Sequence, residues 1–318
     1  MKLKIPRRQF LQTAALAGGG ISLAASGQVA PPKDGTVRDK LWLFSNPTNA
    51  DYGLLRKRSV MSPFEAAVYM GIPNIMMVNE YPEDRVGTSP AQEGWFETWE
   101  PPLLDQYAMP LSLLKRVVWS IVGAGGVTKP EEREAVLALA RRTPNIVGLF
   151  MDDFFHTEPG RELGSLSLDQ LRDIQQQIKG PGKKMDLFVT LYNQDVNYPI
   201  AEYLRLIDVI TYWIRNPEDL ADQDGWLTKL EKLAPHCRII LGLDTFADNS
   251  FADNKPQTPA WTDRPIPLQQ KRCEEALGWL RSGRLEGIII YGGTTIDVGY
   301  KAAEWTRQWI RRVGETKL

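Results

Sequence analysis

The stretch that decides the fold reads N-I-V-G-L-F-M-D-D-F-F and spans residues 145–155. Its apolar run lacks polar alternation, which is typical of a strand covered on both faces in a parallel sheet. The run ends in two adjacent carboxylates, Asp152 and Asp153. Ligands bind at the carboxyl ends of parallel strands, because the strand-to-helix loops diverge there. The stretch therefore predicts a buried strand that opens into a site, although one of the two aspartates can instead cap the following turn.

Seven further short apolar stretches have the same character. They span residues 41–44, 75–78, 117–122, 187–192, 209–213, 239–243 and 288–291. Nearly all are followed by a helix signal, such as the caps predicted at Ser62, Thr128 and Ser167. Eight strands that alternate with helices predict an α/β fold of the (β/α)8 TIM-barrel type, with a doubly wound open sheet as the alternative. Every predicted strand ends in polar or aromatic residues, as though all eight surround one mouth, and this favours the barrel.

The composition excludes several function classes. The 318 residues are 43% hydrophobic, enough for a large core, and the net charge of −1 with a pI near 6.2 argues against an electrostatic nucleic-acid binder. Cys237 and Cys273 do not form a metal-ligand spacing, and two histidines make a histidine-rich zinc site unexpected. Residues 123–126, G-A-G-G, lack the spacing of a nucleotide loop. No cofactor is therefore predicted, and a small or uncharged partner is expected.

The N-terminus has the pattern of a signal peptide. Residues 1–8 are basic and residues 10–25 are mildly apolar, too short and weak for a transmembrane anchor. The motif R-R-Q-F-L at residues 7–11 resembles the core of twin-arginine export signals. This resemblance implies export by the twin-arginine translocation machinery to a periplasmic or secreted location. Residues 1–30 are then signal peptide, 31–39 linker and 40–318 the catalytic barrel, without a stable membrane anchor; an uncleaved N-terminal anchor is the alternative.

The predicted mouth of the barrel collects carboxylates and aromatic rings. Aromatic faces suit the C–H faces of sugars, while Asn, Tyr and Arg side chains satisfy hydroxyl groups. Cleavage of a glycosidic bond needs two carboxyl groups, one protonated and one ionised. The candidate catalytic residues are Glu80, Asp152, Asp153 and Asp244. The candidate substrate-binding residues are Asn46, Trp119, Tyr192, Asn193, Tyr212, Trp213, Arg215 and Tyr291.

On these residues the chain resembles exported (β/α)8 glycoside hydrolases. The resemblance implies an acid after strand four, here Asp152 or Asp153, and a second carboxylate often on strand seven, here Asp244, with Glu80 as the third candidate. The chain departs from the Asn-Glu pair common after strand four and from the D-x-x-D-x-D-x-E motif of chitinase-like barrels. The segment V-I-T-Y-W, residues 209–213, is similar to the strand-six tyrosine segment of the latter. No specific family follows from these matches.

Two other functions fit the same residues. In a divalent-metal-dependent isomerase or aldolase, the four candidate carboxylates would be oxygen ligands and His156 an accessory ligand or base. In a non-catalytic barrel, the aromatic residues would only bind glycans. Glu80 can also form a structural ion pair with Arg215. Metal content distinguishes the metal enzyme from the hydrolase, and turnover distinguishes the binding barrel from both.

Overall fold

A computed structural model describes residues 35–79, 103–156, 160–216, 218–249 and 259–318. Eight parallel strands close into a barrel, which confirms the (β/α)8 prediction over the open sheet. In chain order the barrel strands are β1 (Leu41–Ser45), β2 (Asn74–Met77), β3 (Arg116–Val122), β4 (Ile146–Met151), β5 (Asp186–Tyr192), β6 (Val209–Trp213), β7 (Arg238–Asp244) and, after two short strands, β10 (Gly287–Tyr291). The short strands β8 (Phe246–Asp248) and β9 (Trp261–Asp263) pair antiparallel with each other.

Helices connect the barrel strands. They are α1 (Tyr52–Leu55), α2 (Pro63–Met70), α3 (Leu103–Leu111), α4 (Pro130–Arg142), α5 (Leu168–Lys179), α6 (Ala201–Leu204), α7 (Gln223–Leu233), α8 (Ile266–Arg281) and α9 (Lys301–Val313). Ser62 and Ser167 cap α2 and α5 with complete capping boxes, as the sequence predicted. The start of α4 differs, because its N-cap residue Lys129 makes no side-chain cap bond and Pro130 occupies the first turn. Within the described ranges, no helix has the length and apolarity needed to cross a bilayer.

Aromatic side chains fill the inside of the barrel. The ring of Phe44 packs against Phe150 at 6.0 Å, Trp213 at 5.4 Å and Tyr291 at 4.8 Å between centroids. Gly242 is required beside this layer, because a Cβ atom there would lie 2.2 Å from the Trp213 ring. The interior is therefore a packed core and not a pore. The candidate ligand site therefore lies above this layer, where the strands end.

The segment before β1 belongs to the fold. Residues Val37–Lys40 form a 3-10 helix, Val37 is fully buried, and its backbone N–H donates to the Thr316 carbonyl at 2.9 Å. Thr36 also forms a β-bridge with Lys317. The sequence had placed residues 31–39 in a linker, since this short polar segment has no periodic pattern of its own. Thr36 and Val37 are instead held by contacts with the C-terminal residues, whereas residues 31–34 of the predicted linker lie outside the described residues.

Candidate active site

Asp153 is the half-buried carboxylate at the mouth of the barrel. Its backbone has a φ of 42°, in the left-handed region that non-glycine residues rarely adopt and that often marks functional sites. Its Oδ1 accepts a hydrogen bond from the Tyr192 hydroxyl at 2.6 Å, and its Oδ2 accepts one from the Gly125 N–H at 2.9 Å. Because both oxygens accept hydrogen bonds from fixed donors, this carboxylate suits the role of a base or nucleophile.

The Tyr192 hydroxyl is the hydrogen-bond donor that positions Asp153. Burial, together with the negative charges of Asp153 and Asp152, raises the pKa of Tyr192 well above its usual value, although the charge of Arg215 acts in the opposite direction. The phenol therefore keeps its proton and donates it to the Asp153 hydrogen bond. Since Tyr192 ends β5 and Asp153 follows β4, this bond joins neighbouring strands across the mouth.

Asp152 lies deeper than Asp153 and faces the barrel interior. It is 5% exposed, and its Oδ1 accepts a hydrogen bond from the Thr190 hydroxyl at 2.8 Å. That hydroxyl contacts the Thr211 hydroxyl at 3.2 Å, which in turn accepts a bond from Trp213 Nε1 at 3.3 Å. Successive residues at the end of a strand point in different directions, so the two aspartates enter different environments. Asp152 belongs to the polar floor beneath the accessible site.

Asp244 is fully buried at the end of β7 and is surrounded by three guanidinium groups. Its oxygens lie 3.6 Å from Arg215 Nε, 3.7 Å from Arg264 Nη2 and 3.8 Å from Arg272 Nη1. We call these three residues the arginine cluster. Burial, with a smaller effect of the neighbouring Arg272 charge, lowers the pKa of Arg264 to about 9. Asp244 thus acts first as the shared counter-ion of the arginine cluster.

Arg215 is the accessible member of the arginine cluster. Its side chain is 25% exposed, whereas those of Arg264 and Arg272 are 2% and 0% exposed. Its guanidinium carbon lies 5.1 Å from the ring centroid of Tyr192 and 5.8 Å from those of Trp213 and Tyr291. Such cation–π contacts hold the group over the aromatic floor. The mouth therefore presents a positive charge beside the Tyr192–Asp153 pair.

A second network of polar side chains lies at the mouth where β1 and β10 end. Asn46 Nδ2 donates to the Tyr291 hydroxyl at 2.9 Å, and that hydroxyl donates to Asp51 Oδ2 at 3.1 Å. Thr294 also donates to Asp51, which is fully buried. Asn46 and Tyr291 were expected at the mouth, but sequence reasoning missed Asp51, because it lies in a loop without any distinguishing pattern. The network fixes the orientation of Tyr291 below Arg215.

Six of the eight predicted substrate-binding residues are buried. Trp119 and Tyr212 are 0% exposed, Asn193 and Trp213 are 1% exposed, and Asn46 and Tyr291 are 4% exposed. The Tyr212 hydroxyl donates to the Trp226 carbonyl of α7 at 3.3 Å, so this side chain faces the helix layer. Strand alternation explains the direction of Tyr212, since its neighbours Thr211 and Trp213 point into the barrel. Glu80 lies outside the described residues.

Asp195 is a carboxyl group near the mouth that sequence reasoning did not single out. It lies in the 3-10 helix Asn193–Asn197 directly after β5, is 7% exposed, and accepts a hydrogen bond from the Tyr192 N–H at 2.8 Å. Burial, with a further contribution from the charge of Asp153, raises the pKa of Asp195 from 3.8 to about 6. The only feature of the sequence that could have identified Asp195 is its position three residues after the end of β5. A group of this kind retains its proton closer to neutrality, as a general acid requires.

We expect Asp195→Asn to stabilise the protein at pH 7 by up to ~3 kcal/mol and to change its stability little near pH 4. Because folding raises this pKa, the stability linked to the protonated carboxyl is present below pH 4 and is lost as the pH rises through about 6. Asparagine avoids the buried charge and can still accept the Tyr192 N–H. Urea denaturation at both pH values measures the difference, with the exposed Asp173→Asn as control. Equal effects of Asp195→Asn at both pH values would contradict this expectation.

His156, the accessory ligand or base of the metal-dependent alternative, lies in the turn after β4. His156 Nε2 lies 2.9 Å from the Ser165 hydroxyl, and the residue is 9% exposed. In the part of the chain that the structure describes, no three His, Cys, Asp or Glu side chains are grouped so that they could hold a metal ion.

Comparisons with known proteins show the fold. No family model matches the chain, and no curated protein matches it. Among solved structures, the chain is similar to an inferred alpha-L-fucosidase from Bacteroides thetaiotaomicron VPI-5482, with a TM-score of 0.51, 12% identity and coverage of 95% of this chain and 99% of that chain. It is also similar to a mutant of xylanase A from P. fluorescens subsp. cellulosa in complex with xylopentaose, with a TM-score of 0.50, 12% identity and coverage of 85% and 96%. At this identity both similarities establish a TIM barrel and nothing finer.

Proposed function

We propose that the protein is a glycoside hydrolase that acts at the mouth of the barrel with Asp153 as its reactive carboxylate. The observation that carries the proposal is the geometry of Asp153: a half-buried carboxylate with a left-handed backbone whose two oxygens accept hydrogen bonds from Tyr192 and Gly125. The names of the two similar solved structures, a fucosidase and a xylanase, support the same reaction class. A carbohydrate is the proposed substrate.

The two carboxyl groups that accept hydrogen bonds from Tyr192 have different roles in the reaction. Asp153, held by the Tyr192 hydroxyl, is the ionised group that attacks the anomeric carbon or removes a proton from the attacking water. Asp195, held by the Tyr192 N–H and with its pKa raised to about 6, is the group that gives its proton to the departing glycosidic oxygen. The glycosidic C–O bond breaks, and water supplies the atoms that complete the two products. Glu80 remains a further candidate for the proton donor.

The other expected catalytic residues receive supporting roles in this proposal. Asp244 was expected as the second catalytic carboxylate, but its full burial among three guanidinium groups suits an ion-pair anchor for the arginine cluster. Asp152 supports the floor through Thr190. The aromatic rings of Tyr192, Trp213 and Tyr291 lie below Arg215, and Tyr192 is the half-buried one of the three.

Turnover of a substrate panel tests the proposed function. Plant, algal and bacterial polysaccharides and aryl glycosides are incubated with the purified chain, with and without a chelator, and products are followed by reducing-sugar assay and NMR of the released anomer. Hydrolysis that survives the chelator supports the proposal. Activity lost with the chelator would favour the metal-dependent enzyme instead, and glycan binding without turnover would favour the binding barrel.

We also propose that the chain is exported through the twin-arginine pathway, on the basis of the R-R-Q-F-L motif at residues 7–11. Replacing Arg7 and Arg8 together with lysine keeps the charge but removes the paired guanidinium groups, so we expect the periplasmic or secreted fraction to be lost and the protein to accumulate in the cytoplasm. Cell fractionation with immunoblotting measures this. The matched control replaces Lys2 and Lys4 with arginine, and unchanged export of the Arg7/Arg8 variant would refute the proposal.

A further inference from the structure

The arginine cluster carries more positive charge than its carboxylate can balance. Three guanidinium groups share Asp244, and each of the three closest N···O distances exceeds 3.5 Å. At these separations the contacts are ion pairs without direct hydrogen bonds. Among the described residues, Arg215 Nε and both oxygens of Asp244 have no hydrogen-bond partner. The cluster thus carries more positive charge than Asp244 balances, and Arg215, with a side chain that is 25% exposed, is its accessible member.

Among the described residues of the mouth, the aspartates after β4 form their hydrogen bonds with other groups. Asp153 is engaged by Tyr192 and Gly125, and Asp152 accepts a hydrogen bond from Thr190. Burial lowers the pKa of Arg215, but its interactions with Tyr192 and then with Asp244 raise the pKa by more, so the side chain stays charged. Arg215 is therefore a fixed cation at the mouth, while its deeper partners Arg264 and Arg272 are inaccessible.

We propose that Arg215 binds a carboxylate of the substrate, so that the enzyme acts on saccharides that contain a uronic acid. A guanidinium group matches a carboxylate with two parallel N–H···O bonds, and three aromatic rings lie within 5.8 Å of the Arg215 guanidinium carbon. The carboxylate of a sugar acid seated on Arg215 would lie beside the Tyr192–Asp153 pair, which places the sugar ring at the reactive group. This assignment rests on the proposed function and names its substrate class.

Calorimetric titration of the full chain with methyl glycosides tests the assignment. We expect the methyl glycosides of glucuronate or galacturonate to bind at least about tenfold more tightly than the neutral glycosides of the same configuration. The preference should disappear in Arg215→Gln and persist in part in Arg215→Lys. Arg238→Gln is the control, because Arg238 begins β7 at the opposite end of the barrel and pairs with Asp186.

Measurements on the unaltered protein keep the test decisive if Arg215→Gln does not fold. The methyl ester of the same uronide has a similar shape without the charge and should bind as weakly as the neutral sugar. The preference for the uronide should also weaken as the NaCl concentration rises from 50 to 500 mM, about a threefold shorter Debye length. A 6-O-sulfated glycoside that binds more tightly than the uronide would overturn the assignment to a carboxylate.

The outcomes separate this inference from the proposed function. Equal affinity for uronides, their esters and neutral glycosides, combined with hydrolysis of neutral substrates, would overturn the uronic acid assignment and leave the glycoside hydrolase in place. Tight uronide binding without turnover of any glycan would support the Arg215 site and overturn the catalytic proposal. Absence of binding and of turnover for every saccharide would overturn both.

Discussion

Asp153→Asn is expected to lower kcat/KM for a hydrolysed glycoside by between about 10² and 10⁴-fold, the usual contribution of a positioned base, with little loss of stability. Asparagine has nearly the same shape and still offers one oxygen to the Tyr192 hydroxyl or to the Gly125 N–H. It cannot accept a proton or form a glycosyl ester. Initial rates across a substrate series and thermal denaturation of the same preparations measure both effects.

A graded variant and a surface control sharpen this test. Tyr192→Phe removes the hydrogen bond to Asp153 Oδ1 but keeps the ring under Arg215, so we expect a smaller loss, about ten- to a hundredfold. Asp169→Asn removes a carboxylate that is 89% exposed on α5, and it should leave the rates unchanged. Near-normal rates in Asp153→Asn would exclude this residue from the reaction. Another carboxyl group would then have to be the reactive one.

Asp244→Asn is expected to destabilise the protein by about 3–5 kcal/mol, since removal of one partner leaves uncompensated buried charge. Arg264 and Arg272 are 2% and 0% exposed, so water does not solvate the charge that Asp244 now balances. Arg272 is further held by its bonds to the Ile214 and Gly242 carbonyls at 3.2 and 3.1 Å. The free energy of unfolding, from guanidinium or urea titration, is the quantity to compare.

A second substitution distinguishes lost ion pairs from lost packing. Combining Asp244→Asn with Arg272→Met removes one of the stranded charges, so the double variant should be less destabilised than the sum of the two single variants. The surface control Asp169→Asn should change the free energy of unfolding by less than about 1 kcal/mol. A loss below about 1 kcal/mol in Asp244→Asn itself would show that Asp244 is not the counter-ion of the arginine cluster.

Local sequence signals were sufficient for the architecture of the barrel. Apolar stretches without alternation identified all eight barrel strands, because a strand buried on both faces needs apolar residues on both. The capping boxes at Ser62 and Ser167 identified two helix starts, because those hydrogen bonds join residues three positions apart. The location of Asp152 and Asp153 at the end of β4 followed from the same pattern.

The direction of individual side chains was less accessible to sequence reasoning. Residues at strand ends were grouped together, but alternation sends Tyr212 to the helix layer while Trp213 enters the barrel. Asp153 and Asp195 similarly contact different groups of Tyr192, its hydroxyl and its backbone N–H. These assignments require the register between neighbouring strands, and the periodicity along a single strand does not reveal that register.

By itself, the sequence determined that this chain forms a (β/α)8 barrel whose strand ends carry carboxylates and aromatic rings, since strand burial and helix capping depend on residues close in the chain. Only the tertiary structure decided that Asp244 is shared by Arg215, which follows β6, and by Arg264 and Arg272, which lie just before and within α8. It also decided that Tyr192 holds Asp153, 39 positions away. Charge balance and hydrogen bonding act through space, so the environment of each carboxylate is defined only once the barrel has closed.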